Sequence, residues 1–270
     1  MSEWLEICRA ASAAVGRALA ELPTRAEREP TVGEGMGGDE TTAVDAAAEA
    51  AVVSVLERAA AGGRSFTLVS EELGEKRYGE TPDGLWVVVD PIDGSLNAKR
   101  NLPLFALSIA LARGPTMDDV FLAYVHDYGT FEEWTAVRGE GVQLAGKPLD
   151  GPAPKEEIEL LAMEATRTDL LAEKAAAMVG LAYRTRVFGS LALSLCHLAA
   201  GRVDAVCSLK PARSVDIAAA QLLVRERGLA IELPEHPPLG RARLDVVARS
   251  RAVAGANPRV CAELWARLAR

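Results

Sequence analysis

The chain has 270 residues, of which 49% are hydrophobic and 25% are charged, and its net charge is −8. This length and composition indicate a soluble globular protein with a full hydrophobic core, built as one large domain or two closely joined lobes. The acidic balance argues against a nucleic acid partner, and no apolar stretch approaches the length that spans a membrane.

The N-terminus predicts where the protein is located in the cell, and the cysteines indicate which type of metal ligand it offers. Residues 1–4 lack the basic and apolar regions of a signal peptide, so we expect a cytoplasmic protein. The four cysteines have no Cys-x-x-Cys spacing, which argues against structural zinc and a disulfide framework. Any metal ion would therefore have oxygen ligands, which Mg²⁺, Mn²⁺ and Ca²⁺ prefer.

The first 150 residues predict two helices and a series of strands, separated by loops. The helices are expected over about residues 2–22 and 41–61, with a loop at residues 23–38. Strands are expected at residues 66–69, 85–90, 104–112, 119–125 and 131–137, before a turn-rich stretch at 139–148.

Two prolines, Pro152 and Pro154, mark the predicted boundary between an N-terminal lobe of residues 1–150 and a C-terminal lobe of residues 151–270. In the second lobe strands and helices alternate, which predicts α/β layering. Strands are expected at residues 158–163, 183–187, 203–208, 229–233 and 244–249. Helices are expected at residues 168–179, 190–200 and 214–227, and from about residue 258. We expect the two lobes to form one compact unit.

The segment of residues 85–95, with the sequence LWVVVDPIDGS, is the most informative part of the chain. Its apolar run predicts a buried strand, and Asp90 and Asp93 follow where the strand is expected to end. Two carboxylates at this spacing suit one or two hard divalent cations. Gly94 would let a backbone N–H approach an anion closely, and Ser95 would cap the next helix, whose N-terminus favours phosphate.

Three further acids follow the same logic. Glu71 comes after a short apolar strand, as Asp90 does, so neighbouring strands would place these two carboxylates side by side. Asp45 lies at the start of one predicted helix and Asp216 directly before another. Each acid alone would be interpreted as an ordinary solvated or helix-capping residue. It is their joint order in one chain that specifically indicates a functional site.

These motifs together resemble the inositol monophosphatase family, which comprises Mg²⁺-dependent, lithium-sensitive phosphatases of small sugar and cyclitol phosphates. The resemblance covers about residues 5 to 250, and residues 97–103 look most like archaeal-type members, which often also hydrolyse fructose 1,6-bisphosphate. The matching segments are D-E-T-T-A-V-D at 39–45, T-L-V-S-E-E at 67–72, D-P-I-D-G-S-L-N at 90–97, F-G-S at 188–190 and S-V-D-I-A-A at 214–219.

The resemblance implies an α/β (α+β) fold, an α-β-α-β-α layered sandwich, and a homodimer. It also implies a first metal ion held by Glu71, Asp90 and the Ile92 carbonyl, and a second held by Asp90, Asp93 and Asp216. A third, weaker ion would bind near Glu71. The ions would be Mg²⁺, with Mn²⁺ as an alternative.

The resemblance further assigns catalytic and phosphate-binding roles. Ser95, hydrogen-bonded to Asp45, would deprotonate the attacking water, and Glu71 would act in catalysis as well as in metal binding. The backbone N–H groups of Gly94 and Ser95 would hold the phosphate. Ser95 stands where the family usually has threonine, and it keeps the hydroxyl.

Substrate contacts are implied for Asp93, Gly189 and Ser190. Close to Asp216, Lys210 and Arg213 are cationic, and residues 208–213 hold no carboxylate, whereas animal inositol enzymes use a glutamate in this region. A second substrate phosphate would suit these cations better than a ring hydroxyl.

Arg186, with Arg167 and Arg184, would add to this positive charge, and surface charge is an equally good interpretation of all three. Val215 and Ala220 replace the family's usual tryptophan and glycine.

The sequence thus predicts a phosphomonoesterase that hydrolyses inositol 1-phosphate, fructose 1,6-bisphosphate or both with metal-activated water. One alternative is an adenosine 3′,5′-bisphosphate phosphatase, which is less favoured because there is no adenine-stacking aromatic cluster. The other is a non-catalytic relative that binds metal and a phosphorylated ligand.

Overall fold

The computed structural model describes residues 2–36, 38, 40–79, 84–151, 154–165, 167–236 and 238–269. Pro152, at the predicted lobe boundary, and Asp39, the first residue of the D-E-T-T-A-V-D segment, lie outside these residues. The helices of the described part are α1 (Ser2–Ala20), α2 (Arg25–Arg28), α3 (Ala43–Ala61), α4 (Ser95–Lys99), α5 (Thr168–Ala177), α6 (Leu191–Ala199), α7 (Ser214–Glu226) and α8 (Pro258–Leu268). None of them is long and apolar enough to cross a membrane.

Strands form two main sheets and two small two-stranded pairs. Strands of the N-terminal part are β1 (Thr31–Glu34), β2 (Glu40–Thr42), β3 (Phe66–Ser70), β4 (Gly74–Tyr78), β5 (Leu85–Asp93), β6 (Ala106–Ala112), β7 (Val120–Asp127), β8 (Glu133–Val137), β9 (Gly141–Leu144) and β10 (Lys147–Pro148). Those of the C-terminal part are β11 (Ile158–Glu164), β12 (Ala182–Arg186), β13 (Ala205–Ser208), β14 (Ala212–Arg213), β15 (Ala230–Glu232), β16 (Arg249–Ser250) and β17 (Val253–Gly255).

The larger sheet has eight strands in the order β10-β9-β8-β7-β6-β5-β3-β4. Strands β3 and β5 run parallel, whereas β5 pairs with β6, and β6 with β7, in antiparallel fashion. Within β5, Val87 and Val89 pack into the hydrophobic cluster that contains α1 and α3, while Val88 packs into the cluster that contains α6 and α7. Strand β5 is therefore buried on both faces, which explains its uninterrupted apolar run.

The second sheet has five strands in the order β12-β11-β13-β17-β15. Strand β11 is parallel to β12 and β13, whereas β17 is antiparallel to β13 and β15. Helices α6 and α7 share a hydrophobic cluster with both sheets, and α8 packs on the opposite face of the five-stranded sheet. The layers are thus α1 and α3, the large sheet, α6 and α7, the small sheet, then α5 and α8, which confirms the predicted α-β-α-β-α sandwich.

Several short elements differ from the sequence expectation. The predicted loop at residues 23–38 contains α2 and β1, and β1 forms a hairpin with β2. Strand β4 was not predicted, and the turn-rich stretch contains the β9–β10 hairpin. All four residues of β1 are exposed, as are the three central residues of β4, so these edge strands lack the apolar alternation from which strands are predicted.

The predicted strand at residues 244–249 is also wrong. Residues 245–248 are bends and coil, and the strand residues here belong to β16 and β17. Strand β16 pairs not with the main sheet but with β14, as a separate two-stranded ribbon. Val246 only packs against the edge of a core cluster and Val247 is exposed, so the apolar residues of this segment do not line a strand face.

Candidate active site

The strand ends of the large sheet bring the predicted acids together. Ser70 of β3 is paired with Val89 of β5 in parallel register, so the next residues, Glu71 and Asp90, are neighbours. The first turn of α7 adds Asp216, and one carboxylate oxygen from each of the three acids lies within 4.8 Å of the others. The predicted juxtaposition of Glu71 and Asp90 is confirmed, although β5 continues past Asp90 to Asp93 instead of ending there. We call Glu71, Asp90 and Asp216 the carboxylate cluster.

Electrostatics in the carboxylate cluster favour a bound cation. Burial, followed by the neighbouring Asp216 carboxylate, raises the pKa of Glu71 to about 8. Burial and the charge of Glu71 raise the pKa of Asp90 well above its usual range, and burial raises the pKa of Asp216 as well. Such carboxylates are costly to ionise unless positive charge is added, and an all-oxygen donor set suits a hard divalent cation. The cluster therefore fits the metal that the sequence predicts.

Asp45 offers a further oxygen beside this cluster. Its Oδ2 atom accepts hydrogen bonds from the backbone N–H and the hydroxyl of Thr42, which closes a capping box at the start of α3. Its Oδ1 atom is buried and has no hydrogen-bond partner in the described structure. Asp45, Glu71 and Asp90 line one small cavity, so a cation or an ordered water there would satisfy this oxygen.

Asp93 is held differently from the three clustered acids. Its Oδ2 atom accepts hydrogen bonds from the Ser190 hydroxyl and, at 2.6 Å, from the Ala192 N–H at the start of α6. Burial and the charge of Asp216 raise the pKa of Asp93 to about 7, in spite of these hydrogen bonds. Ser190 also caps α6 by accepting from the Leu193 N–H. The structure thus joins the predicted Ser190 to Asp93.

The turn at Gly94 requires glycine. Its φ of 99° lies in the left-handed region, and a Cβ atom would stand 2.9 Å from the Leu104 carbonyl oxygen and 3.2 Å from that of Gly189. Gly94 itself, not Ser95, is the N-cap of α4, so the predicted capping role of Ser95 is wrong.

The expected hydrogen bond between Ser95 and Asp45 is also not formed. The Ser95 hydroxyl donates to the Ile92 carbonyl oxygen at 3.0 Å, since both lie in one tight turn. Of the two Asp45 carboxylate oxygens, Oδ2 accepts hydrogen bonds from Thr42, and Oδ1 has no hydrogen-bond partner in the described structure. Ser95 and Asp45 nevertheless line the same small cavity.

A cavity of about 240 Å³ opens beside the carboxylate cluster and collects most of the predicted site. Among its lining residues are Glu71, Asp90, Ile92, Asp93, Gly94, Ser95, Glu164, Gly189, Lys210, Arg213, Asp216 and Arg249. The cavity lining thus combines the acids of the carboxylate cluster with the cationic side chains of Lys210, Arg213 and Arg249.

The predicted cationic residues Arg213 and Lys210 lie in different environments. Arg213 is buried, and its guanidinium donates to Glu71, while its backbone N–H donates to Asp216 at 2.8 Å. Arg213 therefore faces the carboxylate cluster, whereas Lys210 is exposed at the cavity opening.

Arg186 lies on the exposed strand β12 and lines a different cavity, with Lys155 and Arg184. The structure thus does not bring Arg186 to the predicted substrate site, which corrects that expectation. Arg167 and Arg184 form ion pairs with Asp169 and Glu159, as surface charges do.

Two charged residues that line the cavity, Glu164 and Arg249, are not predicted from the sequence. The Glu164 carboxylate accepts hydrogen bonds from the Phe188 and Gly189 N–H groups and from the Ser194 hydroxyl, so it fixes the turn that carries Ser190. An acid directly after the predicted strand at 158–163 is the same signal that identified Asp90, and it could have identified Glu164. Arg249 had no comparable signal.

Asn97 connects the two halves of the cavity wall. Its side-chain amide donates to the carbonyl oxygens of Leu104 and Phe188, each at 2.7 Å. The segment that follows Asp93 is thereby tied to the turn before α6, so the asparagine of the D-P-I-D-G-S-L-N segment has a structural explanation.

Comparison with known proteins gives one consistent family. The sequence profile of the inositol monophosphatase family matches residues 1–270. The fructose-1,6-bisphosphatase/inositol-1-monophosphatase of Methanothermobacter thermautotrophicus is 31% identical over 252 residues, covering 90% of this chain and 88% of that protein. The Nus factor SuhB of Escherichia coli is 37% identical over 199 residues, 70% of each chain.

Solved structures agree in fold. The crystal structure of the MJ0109 gene product, an inositol monophosphatase-fructose 1,6 bisphosphatase, superposes with a TM-score of 0.82 at 22% identity, covering 98% of this chain and 99% of that one. The Thermotoga maritima IMPase superposes with a TM-score of 0.75 at 23% identity, covering 100% and 99% of the two chains.

Proposed function

The chain belongs to the inositol monophosphatase family of phosphatases, and from that premise we propose that it is a Mg²⁺-dependent hydrolase of inositol 1-phosphate and fructose 1,6-bisphosphate. The observation that carries the proposal is the carboxylate cluster, whose three oxygens lie within 4.8 Å of one another beside the Gly94 turn. Both substrate names occur together in the Methanothermobacter thermautotrophicus relative, which supports the pairing of these substrates.

The metal follows from the donor chemistry. Glu71, Asp90 and Asp216 would hold the cations, with the Ile92 carbonyl and Asp93 next to them at the cavity wall. All of these donors are oxygens, which favours Mg²⁺ and accommodates Mn²⁺. When bound, such cations lower the pKa of a coordinated water and neutralise charge on the leaving oxygen.

The protein residues would position the phosphate group and deprotonate the attacking water. The N–H groups of Gly94 and Ser95 begin α4, where they have no partners within the helix, and they would hold phosphate oxygens. Ser95 and Asp45 line the small cavity beside the cluster, where they would accept a proton from the attacking water. For this the Ser95 hydroxyl would turn from Ile92 toward Asp45, whose Oδ1 atom is available as an acceptor.

Phosphate release from the two substrates in parallel tests the proposal. With saturating Mg²⁺ we expect turnover of both, and an excess of EDTA should abolish it. Restoring Mg²⁺ to the EDTA-treated protein should restore the rate, which separates metal dependence from denaturation. Turnover that persists in EDTA would contradict the proposed role of the carboxylate cluster.

One alternative is a non-catalytic relative that binds metal and a phosphorylated ligand as a partner module, and the relatives named Nus factor SuhB carry a name that states no enzymatic activity. All six positions proposed for chemistry (Asp45, Glu71, Asp90, Asp93, Ser95 and Asp216) keep side chains that can perform it. Folded protein that binds Mg²⁺ but releases no phosphate from either substrate would favour this alternative. The homodimer and the cytoplasmic location stay predictions.

A further inference from the structure

A second acid of α3, one helical turn after Asp45, is buried against the large sheet. Glu49 is only 6% exposed and stands among the apolar residues that α3 packs onto the sheet. A glutamate is almost never buried to this extent unless its carboxyl group has a partner. Here the Ser70 hydroxyl donates to Oε2 at 2.6 Å, and Oε1 is buried without a hydrogen-bond partner in the described structure. Ser70 is therefore the residue through which Glu49 contacts the sheet.

Ser70 is the last residue of β3 and directly precedes Glu71. The backbone pairing of β3 ends here, with Val89 of β5 on one side and Gly74 of β4 on the other. Residues 71–73 form the turn between β3 and β4. The backbone of Glu71 thus lies one residue beyond the paired strand, and the hydrogen bond from Ser70 ties the strand end to α3 just before it.

Alternation along β3 places Ser70 and Glu71 on opposite faces of the large sheet. Leu68 packs into the hydrophobic cluster that contains α1 and α3, whereas Val69 packs into the cluster that contains α6 and α7. Side chains alternate along a strand, so Ser70 follows Leu68 toward α3. Glu71 follows Val69 toward α7, where it pairs with Arg213. The strand end is therefore held by a hydrogen bond on the α3 face and by an ion pair on the α7 face.

The buried carboxyl group of Glu49 has a cost in stability. Burial raises the pKa of Glu49 to about 7, in spite of the hydrogen bond from Ser70. An apolar side chain of the same size would avoid this cost and would pack equally well against the sheet. A polar group in such a place is explained if its hydrogen bond fixes a functional element. The element fixed here is the strand end that carries Glu71.

We propose that Glu49 is a positioning residue for the carboxylate cluster: by accepting the hydrogen bond from Ser70, it fixes the end of β3 and with it the Glu71 carboxylate. The inference rests on the proposed function, because it assumes that Glu71 holds a metal ion. Glu49 is not among the described residues that line either cavity of the site, so it acts through Ser70 and Glu71. The loss of a partner behind a metal ligand weakens metal binding.

Mg²⁺ binding to the folded protein, measured by calorimetry without substrate, tests the inference. Glu49→Met keeps the volume of the side chain but has no acceptor for the Ser70 hydroxyl, whereas the amide oxygen of Glu49→Gln can still accept. We expect Glu49→Met to raise the Kd for Mg²⁺ about tenfold, the lower end of what such a partner contributes, and Glu49→Gln to stay within about twofold of the wild type.

Ser70→Ala removes the same hydrogen bond from its other end, and it should raise the Kd by a similar factor. The double variant with Glu49→Met should show little further increase, since both substitutions remove one contact. Glu57→Met is the matched control, because Glu57 lies on the same helix but is exposed and pairs with Lys76 at the surface. Its Kd for Mg²⁺ should equal that of the wild type.

Two results would overturn the inference. A merely structural role of Glu49 would lower the Tm of Glu49→Met and leave the Kd for Mg²⁺ at the wild-type value, measured well below the Tm of each variant. Equal increases of Kd in Glu49→Met and Glu49→Gln would assign the effect to the charge of Glu49 and not to its hydrogen bond.

Failure of the inference and failure of the proposed function are distinguishable. If the wild type binds Mg²⁺ and releases phosphate, and Glu49→Met and Ser70→Ala bind Mg²⁺ as tightly, the inference fails while the proposed function stands. If the wild type binds no Mg²⁺, both fail. Thermal unfolding verifies that each variant is folded, and Ser70→Ala provides the reading if Glu49→Met is not.

Discussion

The carboxylate cluster and the cationic rim, formed by Lys210 and Arg249, line one cavity but are built in different ways. The cluster stands on the ends of β3 and β5, two strands of the central sheet, and on the first turn of a buried helix. The rim stands on a loop and on a ribbon of two residues per strand. The proposed metal ligands thus stand on the core, whereas the two cations stand on short elements, so we expect substitutions of the cations to disturb the fold less than substitutions of the cluster.

The largest loss of turnover is expected from a substitution in the carboxylate cluster. Asp90→Asn removes a charge from the centre of the proposed metal site while keeping the side-chain shape. We expect turnover of both substrates to fall by about a thousandfold or more, since metal ions supply several kcal/mol of transition-state stabilisation. Phosphate release with saturating Mg²⁺ measures it. Glu173→Gln, an exposed acid on α5, is the control and should retain wild-type rates. Near wild-type activity of Asp90→Asn would contradict the site assignment.

The next prediction concerns the stability of the cluster without metal. Burial raises the pKa of Glu71 to about 8 and that of Asp93 to about 7, whereas unfolded carboxyls titrate near pH 4. The folded protein therefore holds more protons between these values, and the free energy of unfolding falls as pH rises toward 8. Burial lowers the pKa of His126 and His197, an effect of opposite sign that fades only as pH rises about one unit above the unfolded value of 6.5.

Thermal unfolding between pH 6.5 and 8, compared between the wild type and Asp90→Asn, separates the carboxyl effect from the contributions of the histidines and the buried cysteines, which both proteins share. In EDTA the Tm should fall as pH rises across this window, and Mg²⁺ should raise the Tm more at pH 8 than at pH 6.5, because ionised carboxylates bind it better. Asp90→Asn in EDTA should show a shallower fall than the wild type. A Tm in EDTA that rises with pH would refute this account of the cluster.

A smaller effect is expected where the two sides of the cavity are joined. Glu164 fixes the turn at Phe188 and Gly189, and this turn carries Ser190, which donates to Asp93. Glu164→Ala leaves these N–H groups without their acceptor, so we expect kcat/KM to fall about tenfold to a hundredfold for both substrates alike.

Glu164→Gln keeps one acceptor oxygen and should recover part of the lost kcat/KM, whereas a purely space-filling role predicts full recovery, because glutamine has nearly the same volume as glutamate. Equal losses in the alanine and glutamine variants would instead show that the negative charge of Glu164 is what matters. In both variants the ratio between the two substrates should stay at the wild-type value.

The smallest effect on kinetics is expected from Lys210, one residue of the cationic rim. Lys210 is exposed, so its charge is screened by solvent. Lys210→Gln should raise KM for fructose 1,6-bisphosphate by about twofold to fivefold and leave kcat nearly constant. The effect should shrink at high ionic strength. A KM that is indifferent to both the substitution and the salt would show that Lys210 does not contact the substrate.

The sequence by itself determined the layered fold, the family and most of the acids. Runs such as Val87–Val89 are buried on both faces, and an acid that follows such a run stands at the end of a core strand, so local pattern and position coincide. Edge strands such as β1 and β4 were not predicted because their exposed side chains carry no apolar alternation.

Only the tertiary structure decided which cations face the cavity. Arg186 appeared beside a matched motif yet lies on an exposed edge strand, whereas Arg249 carried no motif and lies in the cavity. Likewise, the Ser95 hydroxyl donates to the Ile92 carbonyl oxygen and not to the expected Asp45 carboxylate. The physical reason is that β14 and β16 pair across 35 residues of intervening chain, and local periodicity holds no information about which distant segment will supply the partner.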